Sequence, residues 1–301
     1  MNPYIQKWFF LISLSIVWGS SFILIKKALM GFTPLQLVAI RIFLTGVFLL
    51  IIGAKSLRSI RTKKEWFWII VSGYISTLLP IYLFAVAQTK IISSTASILN
   101  ALIPIMTILI GYFGFNEIVK RNQIIGVIIG LAGTWLLIGA SSTINLNSGY
   151  HFSLLIILAC ICNAFNINLV KYKLSNINPI ALATGCFISI MLPAIYFLIN
   201  EGMLELNFYS TEHTKNALFY VLILVVFSTA MSRIVFNRLI QISSPAFSST
   251  STYIIPIVAI MLGVIDGEVI TWIEYLTIAI ILFSIYIVND VRLFPSFSRK
   301  R

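Results

Sequence analysis

The sequence predicts an all-α integral membrane protein of ten transmembrane helices, arranged as two inverted five-helix repeats. Three observations predict it. The 301 residues are 59 % hydrophobic and only 10 % charged, with a mean hydropathy of +1.00, whereas a soluble domain carries about 25 % charged residues. Ten apolar runs follow one another with short polar breaks, and a spanning helix needs about 20 apolar residues. Motifs in the first half also recur in the second. A single soluble core, a disordered chain and a secreted disulfide scaffold are excluded by this composition.

In chain order the runs fall at about 8–28, 34–54, 66–88, 92–115 and 122–140, and then, after the polar connector Ser141 to Gly149, at about 151–171, 178–199, 217–240, 245–265 and 270–289. Residues 1–145 then form the first repeat and 146–301 the second. The runs are apolar all round, as spanning helices are, while barrel strands alternate in and out. Lys7 precedes the first run, and Lys26 and Lys27 follow it where a signal peptide would have a small-residue cleavage site, so this span is expected to be retained. Cys160, Cys162 and Cys186 lie inside apolar runs and suggest no disulfide or metal framework.

A net charge of +12 suggests nucleic acid in a soluble protein. Here it is topological. With the N-terminus inside, the inner segments hold Lys7, the cluster Lys55 to Lys64, Lys120 and Arg121, Lys171 and Lys173, Arg238, and the tail from Arg292 to Arg301. That is fifteen of the 21 basic residues. Six of the nine acids fall on the other side (Glu201, Glu205, Glu212, Asp266, Glu268 and Glu274). Both termini are therefore predicted in the cytoplasm, in a cytoplasmic membrane. The expected partners are the bilayer and a small molecule, with no nucleic acid and no cofactor, and a homodimer is compatible with such a chain.

The halves match in detail. Pro104 in Ile98-Leu99-Asn100-Ala101-Leu102-Ile103-Pro104 has its counterpart in Pro256 of Thr250-Ser251-Thr252-Tyr253-Ile254-Ile255-Pro256. Each follows a serine-rich start and precedes an acid, Glu117 or Glu268. Aligning Pro34 with Pro179 sets Lys26 opposite Lys171, Trp18 opposite Asn163 and Ser21 opposite Asn166. Five spans is an odd number, so the second half enters from the opposite side, as in carriers with two alternative faces around a central site.

Several of these residues carry a family resemblance. Trp18-Gly19-Ser20-Ser21-Phe22, Pro34 with Arg41, Ser94-Thr95-Ala96-Ser97-Ile98-Leu99 leading to Pro104 and Glu117, and Ser249 to Pro256 with Gly263 and Glu268 resemble the drug/metabolite transporter superfamily, in its ten-helix EamA-type branch. The resemblance covers essentially the whole chain. It implies a central cavity lined mainly by helices 3, 4, 8 and 9, with parts of 1 and 6. It also implies movement of a small metabolite, often export of amino acids or related compounds.

Ionisable side chains within spans cost about 2.5–3.5 kcal/mol on insertion scales and usually face a cavity or a partner. Arg233 is the leading candidate, on a stripe of Thr229, Arg233, Asn237 and Gln241 at every fourth residue. One reading is a guanidinium that receives a carboxylate or phosphate. The other is an arginine that snorkels to the interface or bonds a neighbouring carbonyl. Helix 4 offers Ser93, Ser97, Asn100, Pro104 and Thr107 on one face, and helix 9 offers Ser249, Thr252 and Pro256. Matched proline breaks point to a binding site, although small polar residues also serve packing. Trp18, Tyr74, Tyr82 and Tyr253 are candidate cavity walls or packing residues, and Asn163 and Asn166 share one face of helix 6. Gly126, Gly130 and Gly133 read as a close-packing stripe, and Arg41 as a structural hydrogen-bond donor.

No Asp or Glu is mid-membrane, and His151 and His213 sit at a span edge and in a loop. Coupling through a central carboxylate is therefore not expected. Intramembrane proteolysis needs a Ser/His pair, two aspartates or a His/Glu metal site within spans, none of which this sequence supplies, so no enzyme is predicted. A receptor or assembly protein lacks a sizeable loop to signal through. The expected activity is alternating-access transport of a zwitterionic or anionic metabolite, outward in direction. Arg233 would hold its acidic group, and Asn100, Ser97, Thr252 and Asn237 the remainder. The alternative is export of cationic or aromatic drug-like compounds through an aromatic-lined cavity.

Overall fold

The computed structural model describes residues 3–91, 96, 99–140, 150–209, 211–265 and 272–288, and all regular structure among them is helical. The helices are α1 (Pro3–Ala28), α2 (Pro34–Gly53), α3 (Lys63–Ala87), α4 (Asn100–Phe115), α5 (Arg121–Ala140), α6 (Tyr150–Lys173), α7 (Pro179–Asn200) and α8 (Glu212–Ile242). Then come α9, in two pieces (Pro245–Ser249 and Ser251–Ile265), and α10 (Trp272–Val288). Among the described residues, α1, α2, α3, α6, α7 and α8 are long and apolar enough to cross a membrane, while the apolar segments of α4 and α10 are shorter. Ser93, Ser97 and Glu268, the connector 141–149 and the tail from Arg292 lie outside the described residues.

Local chemistry sets the helix starts. Thr33 and Gln36 cap α2 reciprocally, side chain to backbone in both directions, with Pro34 in the first turn. Thr62 and Glu65 do the same for α3, satisfying amides that have no intrahelical acceptor. Asn178, Thr211 and Ser244 cap α7, α8 and α9 with their side-chain oxygens. The C-terminal end of α4 falls at Asn116, whose φ of 53° is left-handed, a conformation Asn tolerates better than most residues.

Two helices are locally unwound. α3 passes through a π-helical turn at Tyr74–Leu78, and α8 through a longer one at Leu224–Met231. Such segments shift the hydrogen-bond register by one residue and recur at functional sites.

Packing follows a regular scheme. α1 lies against α8 and α9, and α6 against α3 and α4. The π turn of α8 lies on α2, as α3 lies on α7; α2 pairs with α7, and α5 with α10. The polarity is inverted relative to a soluble protein. Phe9, Phe67, Phe113, Leu192 and Phe227 are exposed, while Ser15, Thr45, Ser72, Asn166, Thr184 and Asn237 are buried. That is the arrangement of a bundle whose outside meets lipid and whose inside must satisfy its own polar groups.

The α5–α10 contact is built on the glycine stripe. A Cβ at Gly126 would lie 2.9 Å from the Ser284 carbonyl oxygen, and one at Gly130 would lie 2.7 Å from the Ser284 hydroxyl. Gly126→Leu is expected to cost about 1–3 kcal/mol or more through overpacking, read as a lower Tm in detergent. Gly114→Leu, where the nearest atom to a Cβ is 3.9 Å away, is the control and should stay within about 0.5 kcal/mol.

Candidate functional site

A cavity of about 190 Å³ lies in the middle of the bundle. The two π turns each contribute a hydroxyl pair to its wall, Ser76 and Thr77 from α3 and Ser228 and Thr229 from α8. α1 adds Trp18 and Ser21, α4 adds Asn100, α6 adds Asn163 and Asn166, and α9 adds Ser249 and Thr252. Arg233 of α8 and Arg41 of α2 also line it, with apolar walls from Phe22, Phe84, Phe187 and Phe236. Among the described residues, no Asp or Glu lines it.

The arginines are held in a crossed arrangement. Arg41, in the first half, donates from Nε to Thr229 Oγ1 at 2.8 Å, in the second half. Arg233, in the second half, donates from Nη2 to Thr77 Oγ1 at 2.8 Å, in the first. Each threonine hydroxyl donates in turn to a carbonyl five residues back in its own helix, Thr229 to Leu224 at 2.8 Å and Thr77 to Ser72 at 3.5 Å. A hydroxyl has one proton to give and two lone pairs to accept with, so one threonine satisfies both the loosened backbone and a guanidinium. Arg233 also reaches Ser72 Oγ at 3.4 Å, and Ser72 Oγ donates to Asn166 Oδ1 at 2.6 Å. The Nε of Arg233 is buried without a partner.

The other candidates divide. Trp18 forms a wall, its indole N–H donating to the Ser228 carbonyl at 3.3 Å and its ring edge-on to Phe236 at 4.9 Å. Thr252 donates to the Ser249 carbonyl at 2.9 Å, keeping its lone pairs available on the cavity side. The stripe on α8 splits in two. Thr229 and Arg233 face the cavity, whereas Asn237 is buried with its amide directed at the Pro179 carbonyl (3.5 Å), and Gln241 donates to the Ile177 carbonyl at 2.8 Å. Tyr253 is fully buried away from the cavity, its hydroxyl donating to the Val127 carbonyl at 2.9 Å. Tyr74 and Tyr82 are 42 % and 40 % exposed on the outer surface and do not line the cavity. Ser97 is outside the described residues.

Sequence reasoning did not single out Ser76, Thr77 or Ser228, and it gave Arg41 only a structural role. A signal was present: the pairs Ser76-Thr77 and Ser228-Thr229 are 152 residues apart, the offset that also relates Pro104 to Pro256.

The bundle matches known proteins along its length. The model of the EamA-like transporter family matches twice, over residues 6–139 and 152–290. The chain belongs to that family. It is 24 % identical over 290 residues to the uncharacterized inner membrane transporter YedA of Escherichia coli K12, covering 95 % of this chain and 92 % of that one. It is 25 % identical over 256 residues to the uncharacterized transporter YvbV of Bacillus subtilis, covering 82 % and 79 %. A Chlamydia trachomatis protein named S-adenosylmethionine/S-adenosylhomocysteine transporter is 24 % identical over 262 residues, covering 84 % and 80 %. A solved crystal structure shares the fold at a TM-score of 0.71 and 15 % identity, covering 93 % of this chain and 95 % of that one. This EamA-type protein is a multi-pass membrane transporter.

A second polar cluster closes one end of the bundle. The Lys171 ammonium donates to the carbonyls of Ser243 (2.5 Å), Gln241 (3.1 Å) and Ile240 (3.4 Å), capping the C-terminal end of α8 with positive charge. Glu117 follows α4 at the same end, and burial pushes its carboxyl up to about 7, against the lowering influence of Lys171 and of a hydrogen bond with Tyr172. Between its ordinary value of 4.5 and about 7 the folded chain holds a proton that the unfolded chain has released. Stability therefore falls as pH rises through that window. A series of Tm measurements from pH 4.5 to 8 should show this decline in the wild type and a flatter profile in Glu117→Gln.

Proposed function

We propose that this EamA-type transporter moves a small metabolite carrying an acidic group across the cytoplasmic membrane by alternating access, in the outward direction, with Arg233 holding the acid. The observation that carries this reading is a guanidinium in a central cavity with no acidic partner among the lining residues. A buried arginine without a counter-ion is costly. A solute carboxylate or phosphate supplies the missing charge through paired, charge-assisted hydrogen bonds. Asn100, Asn163, Asn166 and Thr252 are placed to bond the remainder, and Trp18 with the phenylalanines bounds its apolar part. S-adenosylmethionine, in the name of the Chlamydia relative, bears a carboxylate of the kind a guanidinium can hold, beside a sulfonium and an ammonium that make it a net cation. Cationic compounds with no acidic group are disfavoured by the like charge of the two arginines.

Ten spans in two inverted repeats, divided near residue 145 with both termini cytoplasmic, complete the proposal. Its support is the doubled family match, the paired π turns of α3 and α8, and a packing scheme that maps onto itself when α1–α5 are exchanged with α6–α10. An axis of this kind leaves a central site reachable from either side in turn. Outward transport rests on the family resemblance.

Purified protein in liposomes, screened against labelled amino acids and related metabolites with and without a pH gradient, tests the proposal. Arg233→Ala is expected to reduce transport of the accepted solute at least 100-fold while expression and Tm persist. Unchanged transport in that variant would remove Arg233 from the mechanism, and absence of flux for every solute would overturn the carrier reading.

A further inference from the structure

We propose that the solute carries two negative charges, as a dicarboxylate or a phosphate monoester does, and that Arg41 and Arg233 bind it together. This rests on the carrier reading above and sharpens its substrate class. Both guanidiniums line the same cavity, and no carboxylate among its lining residues offsets either charge. A neutral zwitterion would bring no net charge to a site of charge +2 and would place its ammonium among cations. A monoanion would neutralise half of it. A dianion neutralises the whole.

The present hydrogen bonds show where those charges are spent without a solute. Each arginine rests on a neutral threonine hydroxyl at 2.8 Å, a weaker acceptor than an anionic oxygen by about a factor of two. The Nε of Arg233 is buried in the protein and makes no hydrogen bond, so a ligand oxygen is received by the terminal nitrogens of its planar fork, in place of the Thr77 hydroxyl. When anionic oxygens take both guanidiniums, the crossed contacts from Arg41 to Thr229 and from Arg233 to Thr77 are exchanged for contacts to the solute. These contacts tie the first half of the chain to the second. A dianion therefore loosens both ties, whereas a monoanion loosens one and leaves the other in place. Charge selection and release of the two π turns become one event.

Isothermal titration of the purified full chain, in neutral detergent at constant ionic strength, tests the inference. The probes are succinate, glycerol 3-phosphate, acetate, alanine and choline. Succinate or glycerol 3-phosphate is expected to bind at least tenfold more tightly than the other three, and the stronger of the two identifies the dicarboxylate or the phosphate source. Arg41→Gln and Arg233→Gln, which keep a donor for the threonines, should each weaken that binding at least tenfold and bring the affinity for dianion and monoanion together. The wild-type ranking stands as a test by itself should either variant fail to fold. Alanine binding as tightly as both dianions, with loss in Arg233→Gln, overturns the dianion assignment and leaves the carrier reading intact. Dianion binding that survives in both variants overturns it as well. If none of the five probes binds and no solute crosses in liposomes, both readings fall.

Discussion

Two arginine side chains in the middle of an apolar bundle set the terms for everything around them. A guanidinium cannot shed its charge, and neither Arg41 nor Arg233 has an acid beside it among the cavity residues. Their stability in the fold depends on neutral acceptors, and the acceptors they use at 2.8 Å are hydroxyls. Thr229 and Thr77 serve in that role because each lies in a π turn, where the register shift turns a hydroxyl toward the interior and leaves a backbone carbonyl needing a donor. Ser72, which Arg233 also reaches, passes the network on to Asn166.

Much of the fold was legible in the sequence, because hydropathy and charge placement are averages over many residues. The apolar runs near 34–54, 66–88 and 178–199 correspond to α2, α3 and α7 within a few residues. The glycine stripe from Gly126 to Gly133 reads directly as the α5 surface that meets α10, since small residues at helical spacing have few other uses in a membrane. The site was less legible. Four-residue spacing placed Thr229, Arg233, Asn237 and Gln241 on one stripe, but the π turn ends just before Arg233 and changes what the stripe faces. Its upper part lines the cavity, and its lower part bonds the backbone at Ile177 and Pro179. Periodicity computed for an ideal α-helix carries no information about such a register shift.

Aromatic residues were illegible for a related reason. Tyr74, Tyr82 and Tyr253 have the same amphipathic character, and their positions within spans do not distinguish lipid, core and cavity. The structure sends the first two outward and buries the third against Gly130 and the Val127 carbonyl. Arg41 shows the converse. A structural hydrogen bond describes its contact with Thr229 correctly, yet the same contact brings it to the cavity wall. For a charged group at the centre of a membrane protein, a structural role and a binding role need not be alternatives.

On the proposed reading, the physical weakness of the crossed hydrogen bonds suits them to a moving part. A carboxylate partner for either arginine would make a buried ion pair, and breaking one typically costs about 3–5 kcal/mol, which would lock the two halves. A hydroxyl partner contributes about 1.5–3 kcal/mol when its donor is charged, enough to hold a solute-free arrangement and small enough for a solute anion to displace. The lack of acids around the cavity then answers one requirement. The site must attract an anion strongly without first satisfying itself.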